Sequence, residues 1–356
     1  MREWDSSPAA HDRLSHSSSF GTWEAPAERI AAALACCTDD LRHLLAGSQL
    51  GPGLRPLMRC LEGALDHHLQ PGRPPLLPLL LPLLIRGSMD GKPSEATPVG
   101  VVSGLLFLCF DLLDDLQDGD HRAWWGELSR AELLLAAAAL PSTLPHHLLI
   151  SLDLLPARKA TLVQALCSGL LAVAEGQALD LAAMDTANPD LRTVEASVVG
   201  KSGAQMAMYA RLSALLAGAD AAQCSLWADW AQGLGTAGQL GSDVEDMLHP
   251  EWSRDLAAGA RTMPITFALS RVEGGERGNL LHMLEQAKRD RAAQLAVLEI
   301  VRRSGGVLYT AFRCQLHLGR SRQALDQLDC PDAWRHLLNR LPAARSLDLL
   351  FAPGTD

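Results

Sequence analysis

Apolar residues recur three or four positions apart along most of this chain, a spacing that places them on one face of an α-helix. Runs that alternate apolar and polar residues, as half-buried β-strands do, are scarce. Leu and Ala dominate, aromatic residues make up only 4% of the chain, and β-branched residues rarely stand together. Because this composition favours helices over sheets, we predict an all-α fold.

The helical periodicity is interrupted by short breaks that contain Gly, Pro or polar residues. It predicts a helix that begins at Pro26, a central helix that begins at Val99, and further helices at 54–69, 131–140, 154–184, 193–218, 226–248, 254–272, 277–304, 307–328 and 332–341. A polar loop is expected at 87–98. No repeat or linker divides the chain, so 26–350 is predicted to form a single large helical bundle. Residues 1–25, rich in Ser, His, Asp and Pro, are predicted to be a disordered leader.

Charge and cysteine usage narrow the class of protein. The net charge of −10 and the lack of a basic stripe argue against nucleic acid as a partner. The eight cysteines are scattered without the C-x-x-C spacing of a metal site, which indicates reduced thiols in a cytoplasmic protein. The N-terminus lacks a basic-then-apolar signal pattern, and the apolar run at 76–85 is too short to span a bilayer. We therefore expect a soluble protein without stable membrane insertion.

An acidic cluster ends a strongly apolar predicted helix. Asp111, Asp114, Asp115 and Asp118 follow the apolar run at 101–110, and the helical repeat places Asp114 beside Asp118. Four carboxylates at the end of a buried helix repel one another and are costly to desolvate unless cations compensate them. Mg²⁺ favours one or two such carboxylates together with substrate phosphates. A solvated helix end that carries acids by chance would explain a single cluster about equally well.

A second acidic cluster, on another long helix, favours the metal interpretation. Asp243 and Asp246 are three residues apart on one helix face, Ser242 is adjacent as a weak candidate ligand, and Glu245 points elsewhere. Lys201, where Gly residues break a helix, would supply a positive charge to the same phosphates. Two acidic patches that face each other across a bundle would hold a diphosphate through several Mg²⁺ ions.

Five segments carry motifs in a fixed order. Asp114-Asp-Leu-Gln-Asp118 matches D-D-x-x-D, and Gln239-Leu-Gly-Ser-Asp-Val-Glu-Asp246 matches Q-x-x-D-D-x-x-D except that Ser242 replaces the first Asp. Gly200-Lys-Ser-Gly203 is similar to K-T-G, 176–181 to G-Q-x-x-D-L, and 255–264 to D-L-x-x-G-K-x-T-x-P, with Ala260 in place of Lys. Over 72–330 the chain therefore resembles the trans-isoprenyl diphosphate synthase, or polyprenyl synthetase, family.

The resemblance implies the all-helical isoprenoid synthase fold, an allylic prenyl diphosphate substrate, three Mg²⁺ ions and a homodimer. The metal ligands that it implies are Asp114, Asp115, Asp118, Ser242, Asp243 and Asp246, and the catalytic residues are Asp114, Asp118, Asp243 and Lys201. The residues that it places at the substrate are Arg73, Phe107, Phe110, Arg122, Gln177, Lys201, Gln239 and Arg261. In this family, bulky residues just before the first motif limit chain length, so Phe110 is expected to form part of the cavity floor.

The basic residues that hold isopentenyl diphosphate in chain-elongating family members are mostly replaced. Only Arg73 keeps a charge in the segment that matches G-K-R-x-R-P, and Phe107 stands where the family has His or Gln. Arg122 is followed by Ala123 where the family has R-R-G. Because apolar side chains cannot replace the planar donor fork of Arg at a phosphate, we expect a weakened site for a second diphosphate.

These departures leave several interpretations open. The preferred one is a terpene synthase that ionises a C15 or C20 allylic diphosphate and cyclises or quenches the carbocation. The alternative is a chain-elongating prenyltransferase of the farnesyl or geranylgeranyl diphosphate synthase type. A non-catalytic subunit is disfavoured because the carboxylates and Lys201 persist, and transfer to a non-isoprenoid acceptor is a weaker fourth. The neighbouring His67 and His68 are expected to lie at the surface.

Overall fold

The computed structural model describes residues 24–47, 50–73, 75–184, 190–248 and 252–343. Every regular element in those residues is helical, so the predicted all-α fold is confirmed. The α-helices are α1 (Glu24–Leu45), α2 (Arg55–His68), α3 (Leu77–Asp90), α4 (Thr97–Asp118), α5 (Arg130–Ser151), α6 (Pro156–Met184), α7 (Leu191–Val198), α8 (Ala204–Ala217), α9 (Ala221–Leu248), α10 (Arg254–Ala258), α11 (Met263–Arg271), α12 (Gly274–Ala287), α13 (Arg291–Ser304), α14 (Gly306–Asp326) and α15 (Asp332–Arg340). Apart from residues 24 and 25, the predicted leader lies outside the described residues, as does the end of the predicted domain, and both bounds stay predictions.

The loop predicted at 87–98 is wrong in its first part, because α3 continues to Asp90. The buried guanidinium of Arg86 explains why this polar stretch stays helical. It forms a salt bridge one turn along to Asp90 at 2.7 Å and donates a hydrogen bond to the carbonyl oxygen of Leu216 at 2.9 Å. The helix ends where Gly91 adopts the left-handed conformation, with φ at 75°.

Three other predicted helices differ clearly from the structure. The helix predicted at 277–304 is interrupted at 288–290, between α12 and α13. In the other two, tertiary packing and a glycine act against the local pattern. The helix predicted at 131–140 runs on to Ser151 through Pro141 and Pro145. Both prolines are buried, so packing offsets the backbone hydrogen bonds that they cannot make. Conversely, the helix predicted at 254–272 is divided into α10 and α11 by Gly259, which has a φ of 77°.

The two helices that carry the acidic clusters lie inside the bundle. α4 packs against α1, α3 and α5, and α9 packs between α8 and α14. The contact with α14 is close, because a Cβ atom added to Gly233 would lie 2.7 Å from the carbonyl oxygen of His317. Fully buried side chains such as Tyr209 and Trp227 fill the main core. The C-terminal ends of α4 and α9 are thereby fixed with respect to each other.

Three described helical segments are long and apolar enough to cross a membrane, judged by length and composition alone. They are 93–118, 130–151 and 156–184. In the first, 72% of the most apolar window is buried inside the bundle, which identifies it as a core helix. The corresponding shares for α5 and α6 are 39% and 22%, so these two helices present apolar surface outward.

Candidate active site

The first acidic cluster lies at the C-terminal end of α4 and faces one lysine. The Nζ atom of Lys201 is 3.0 Å from Oδ1 of Asp114 and 3.5 Å from Oδ2 of Asp180 on α6. Asp118, one turn after Asp114, lies in the field of the same ammonium group. The first motif and the predicted K-T-G-like segment are therefore brought together as expected, and Asp180 of the G-Q-x-x-D-L-like segment joins them.

Lys201 reaches this position because two helices touch through glycines. It lies in a π-helical turn, Val199–Gly203, between α7 and α8. A Cβ atom added to Gly176 would lie 2.2 Å from the carbonyl carbon of Gly200. Only glycine at both positions allows this backbone approach, which sets the base of the Lys201 side chain against α6.

Burial raises the pKa values of two carboxylates in this cluster, and the nearby positive charge does not fully offset the rise. Burial raises the pKa of Asp114 to about 6, although the ammonium of Lys201 acts in the opposite direction. The pKa of Asp118 is also raised, mainly by burial, against the lowering effect of Lys201. The negative charges of Asp120, Asp180 and Asp115 add to the rise for Asp118. One lysine does not neutralise this end of α4.

The second cluster centres on Asp243, which is 2% exposed. Its Oδ1 atom accepts a hydrogen bond from Nε2 of Gln239 at 3.0 Å, and the carboxylate also accepts one from the backbone N–H of Met263. The Oε1 atom of Gln239 accepts from Oγ of Ser202 at 3.2 Å. Burial, with the charges of Asp180 and Asp246, raises the pKa of Asp243 to about 7.

Asp255, the first residue of the fifth motif, is a member of this cluster that the sequence did not single out. Burial raises its pKa to about 8, and the negative charges of Asp243, Asp246 and Asp118 act in the same direction. Asp255 therefore lies between the ends of α4 and α9. Its place in the D-L-x-x-G motif was the signal that could have identified it.

Asp246 acts chiefly as an anchor for α10. Its carboxylate accepts hydrogen bonds from Oγ of Ser253, from the backbone N–H of Arg254 at 2.9 Å and from that of Asp255 at 3.4 Å. These bonds satisfy donors at the start of a helix. Asp246 thus holds Asp255 in place, and its oxygens are largely engaged before any metal binds.

Three other predicted site residues lie apart from the inward-facing carboxylates. Ser242 is exposed and lines a groove of about 350 Å³ with Leu77 and Pro342. Arg261 turns away, because it donates to the carbonyl oxygen of Gly259 at 3.1 Å and lies 3.6 Å from Glu285. The structure therefore gives Arg261 no contact with the clusters, and Ala260 leaves the family's lysine position without a charge.

Asp115 is the third predicted site residue that lies apart from the inward-facing carboxylates, and it forms an ion pair with Arg122. Nε of Arg122 donates to Asp115 Oδ2 at 2.8 Å, and Arg122 also contacts Asp120 at 2.6 Å. The Asp115 carboxylate raises the pKa of the Arg122 guanidinium above its ordinary value. Asp115 is therefore a poor candidate for a metal ligand, and it holds Arg122 beside α4.

A cluster of basic and imidazole groups lies on the other flank of α4. Nε2 of His67 is 2.9 Å from Nη2 of Arg73, and Nε2 of His68 is 3.2 Å from Oδ2 of Asp111. The His68 ring also packs edge-on against Phe107 at 5.0 Å. Partial desolvation and the positive charges of Arg73, His68 and Arg122 lower the pKa of His67. Both histidines keep part of their surface exposed, and each also contacts a charged neighbour.

The remaining predicted substrate residues line the same region. Phe107 and Phe110 are half-buried on the face of α4 that carries Asp114. Gln177 on α6 donates a hydrogen bond from Nε2 to Oε1 of Gln117, which lies in the first motif. Gln177 thus contacts the end of α4, and Gln239 contacts Asp243 on α9.

The donor set fits Mg²⁺ held by few carboxylates per ion. No three His, Cys, Asp or Glu side chains in the described ranges are arranged around one ion. Mg²⁺ normally takes one or two carboxylates and completes its octahedron with waters and substrate phosphates. Asp114 and Asp118 on one side, and Asp243 on the other, would hold ions in this way with a diphosphate between them. The raised pKa values of Asp114 and Asp243 mark the charge that such ions would compensate.

Comparison with known proteins identifies the family of the chain. The family model described as polyprenyl synthetase matches residues 59–301. The (2E,6E)-farnesyl diphosphate synthase of Mycobacterium tuberculosis H37Rv is 28% identical over 281 residues, or 72% of each chain. A polyprenyl synthetase structure from Streptomyces coelicolor A3(2) has a TM-score of 0.74 at 20% identity, over 89% of this chain and 98% of that one. A geranylgeranyl pyrophosphate synthetase from Pyrococcus horikoshii has a TM-score of 0.76 at 18% identity, over 93% and 99%.

The chain belongs to the polyprenyl synthetase family, since the family model covers more than half of it. It is accordingly an enzyme of that family. The two solved structures show that it shares their all-α fold. These relatives fit the chain-elongating prenyltransferase better than the terpene synthase that the lost basic residues had favoured.

Proposed function

We propose that this enzyme is a Mg²⁺-dependent prenyltransferase that condenses an allylic prenyl diphosphate with isopentenyl diphosphate. The observation that supports the proposal is that positively charged groups lie on both flanks of the end of α4, Lys201 on one and Arg73 with His67 on the other. Lys201 and the inward carboxylates form a first region, which suits a metal-bound diphosphate. Arg73, His67 and Arg122 form a second region, which suits a second diphosphate. The farnesyl diphosphate synthases among the relatives support the same reaction.

In the second region, the histidines compensate for part of the positive charge that is lost with the family's basic residues. Partial desolvation, together with the positive charges of Arg73 and His68, lowers the pKa of His67. A diphosphate would reverse that effect and favour the protonated ring. Arg73 is close enough to share the same anion. His67 and Arg73 therefore take the place of part of the family's basic set.

At the first region, each group has a separate task. Asp114, Asp118 and Asp243 would hold the Mg²⁺ ions, which supply the positive charge that lets diphosphate leave. Lys201 and Gln239 orient the leaving group by hydrogen bonds, and Gln177 fixes Gln117 beside them. The allylic C–O bond breaks, the double bond of isopentenyl diphosphate attacks the carbocation, and a proton is lost from the adduct.

A terpene synthase is the second candidate, and Ala260 with the outward-turned Arg261 favours it. The deciding experiment incubates the enzyme with geranyl, farnesyl or geranylgeranyl diphosphate and Mg²⁺, with and without labelled isopentenyl diphosphate. We expect label in a longer prenyl diphosphate. Hydrocarbon or alcohol in a hexane extract, formed equally without isopentenyl diphosphate, would establish the terpene synthase instead. EDTA should stop either reaction.

We also propose a homodimer in the cytoplasm, joined through α5 and α6. These helices expose Leu134, Leu135, Leu171 and Leu181 by 40 to 72%. Small residues lie between these leucines on α6, which allows helices of two copies to approach closely. Sedimentation equilibrium should give twice the chain mass, and Leu171→Glu should yield monomers.

A further inference from the structure

One face of α14 carries an apolar ridge, which consists of Leu308, Phe312 and Leu316. These residues are four positions apart, and 76%, 57% and 37% of their surfaces are exposed. The ridge borders an open hollow that contains Phe267 and Tyr309, whose rings stack at 4.4 Å. Apolar side chains grouped in this way are unfavourable in water and indicate a binding surface.

The segment of the chain that contains the ridge is basic, although the protein as a whole is acidic. Residues 261–340 contain 13 Lys and Arg against 8 Asp and Glu, a net charge of +5. The other 276 residues therefore have a net charge of −15, which gives the total of −10 for the whole chain. Arg271 lines the hollow, and Arg320 continues the row of the ridge one turn after Leu316. Arg303, next to Ser304 of the hollow, and Arg322 on α14 are also exposed. The nearest acids in sequence are Glu273, Glu299 and Asp326; Glu299 lies 4.0 Å from Arg303, and Asp326 lies 3.9 Å from Arg335.

The ridge lies at the same end of the bundle as the second acidic cluster. α14 runs antiparallel to α9, because Ser321 bonds the carbonyl oxygen of Trp230 and Cys314 bonds that of Ala237. Leu308, further toward the start of α14, is consequently level with the end of α9. A contact of Arg302, just before α14, agrees with this placement beside the end of α9: its guanidinium donates to the carbonyl oxygen of Met247 at 3.3 Å.

We propose that the ridge and its arginines attach the enzyme to the surface of an anionic lipid bilayer. Leucine and phenylalanine side chains in a row enter the boundary between headgroups and acyl chains, and the guanidinium groups bind lipid phosphates. A second copy of the chain is a poorer occupant, because a two-fold contact would set one arginine fringe against the other. Nucleic acid would use the arginines but leave the leucines uncovered. The attachment is peripheral and does not depend on the reaction proposed above.

Cosedimentation with vesicles tests this proposal on the full-length protein. We expect binding to vesicles of phosphatidylcholine mixed with phosphatidylglycerol, and little binding to phosphatidylcholine alone. The double variant Leu308→Ser/Phe312→Ser should lower the partition coefficient about tenfold or more, because it removes the apolar anchor. Arg320→Ala/Arg322→Ala should weaken binding and reduce its sensitivity to salt. Leu295→Ser, at a 49% exposed position on α13, is the matched control and should bind normally.

Since all these positions are exposed, each variant should keep the helical circular dichroism of the parent protein. Absence of binding to the mixed vesicles would overturn the proposal. Equal binding by the ridge variant, or equal binding to both kinds of vesicle, would also overturn it. If the ridge variant lowered the mass in sedimentation equilibrium, the face would be an interface between copies instead.

Discussion

The ends of α4 and α9 look alike in sequence, but the structure compensates their charges differently. Asp114 on α4 is paired directly with Lys201 at 3.0 Å. The described hydrogen bonds to Asp243 on α9 come from neutral donors, the amide of Gln239 and the backbone N–H of Met263. The pKa is about 6 for Asp114 and about 7 for Asp243, and it reaches about 8 for Asp255 beside it.

This difference shows that the two halves of the site do not play equal parts before substrate binds. The α4 half is organised by an ion pair that exists without metal. The α9 half is built from buried carboxylates that repel one another, and Arg254 offsets the charge of Asp255 only in part. We therefore expect the α9 half to depend more strongly on Mg²⁺.

The largest effect is expected from Asp243→Asn. It removes the proposed metal ligand of the α9 half, whose described hydrogen bonds come from neutral donors, and we expect kcat to fall on the order of 10³-fold at saturating Mg²⁺. Glu245→Gln, at an exposed position on the same helix, is the control and should leave kcat within about twofold. Steady-state kinetics measure this effect. Near-normal turnover by Asp243→Asn would show that Asp243 is not a metal ligand.

Lys201→Met should have the next largest effect, because it removes the cation that distinguishes the α4 half. Asp114 and Asp180 lose their partner, and we expect kcat to fall about 10²-fold. Lys201→Arg should restore part of the activity, since the planar guanidinium replaces the positive charge of the ammonium group but not its compact geometry. Lys92→Met, at an exposed position, should behave as the parent protein does. If Lys201→Met changed only KM, Lys201 would act in binding alone.

Much of this comparison was predictable from the sequence because the motifs lie on long, strongly periodic helices. The helical repeat placed Asp114 and Asp118 on one face, and the glycines beside Lys201 pointed to a special backbone position. The structure brings these residues together through the contact of Gly176 with Gly200. Local spacing was sufficient there.

Sequence spacing failed where the partners come from outside the helix that carries the residue. Asp246 has the spacing of a metal ligand, but the backbone N–H groups at the start of α10 engage it. Arg261 adjoins the vacant lysine position, yet Glu285 and its own backbone draw it away. The contact of His67 with Arg73 was not predicted, because Arg73 approaches only when the chain turns after α2. Such pairings depend on tertiary contacts that no helical periodicity specifies.

The third prediction uses pH to separate the two halves in the metal-free enzyme. The pKa values of Asp243 and Asp255 lie above the value of about 3.9 expected in the unfolded chain. The native state therefore binds more protons, and the resulting stability is present below about pH 4 and is lost as pH rises to about 8. In EDTA, we expect Tm to fall across this range.

Asp255→Asn should flatten this decline more than Asp114→Asn, since Lys201 already offsets part of the charge of Asp114. Mg²⁺ with inorganic pyrophosphate should raise Tm more at pH 8 than at pH 5. Glu195, whose pKa is lowered by Arg313 and His317, acts in the opposite direction only at lower pH. A Tm that rises from pH 5 to pH 8 in EDTA would contradict the assignment of uncompensated charge to the α9 half.

The smallest effect is expected from Ser242→Asp, which restores the family's aspartate in the α9 half. Ser242 lies about 100° round the helix from Asp243 and faces the groove that contains Pro342. A carboxylate there would be solvated, so we expect kcat and the Mg²⁺ concentration for half-maximal activity to change less than about threefold. Glu245→Asp, which moves a carboxylate in the same groove without adding one, is the matched control. An increase in activity of tenfold or more, with a lower Mg²⁺ requirement, would contradict this expectation. It would show that the groove opens onto the metal site and that Ser242 limits Mg²⁺ binding in the α9 half.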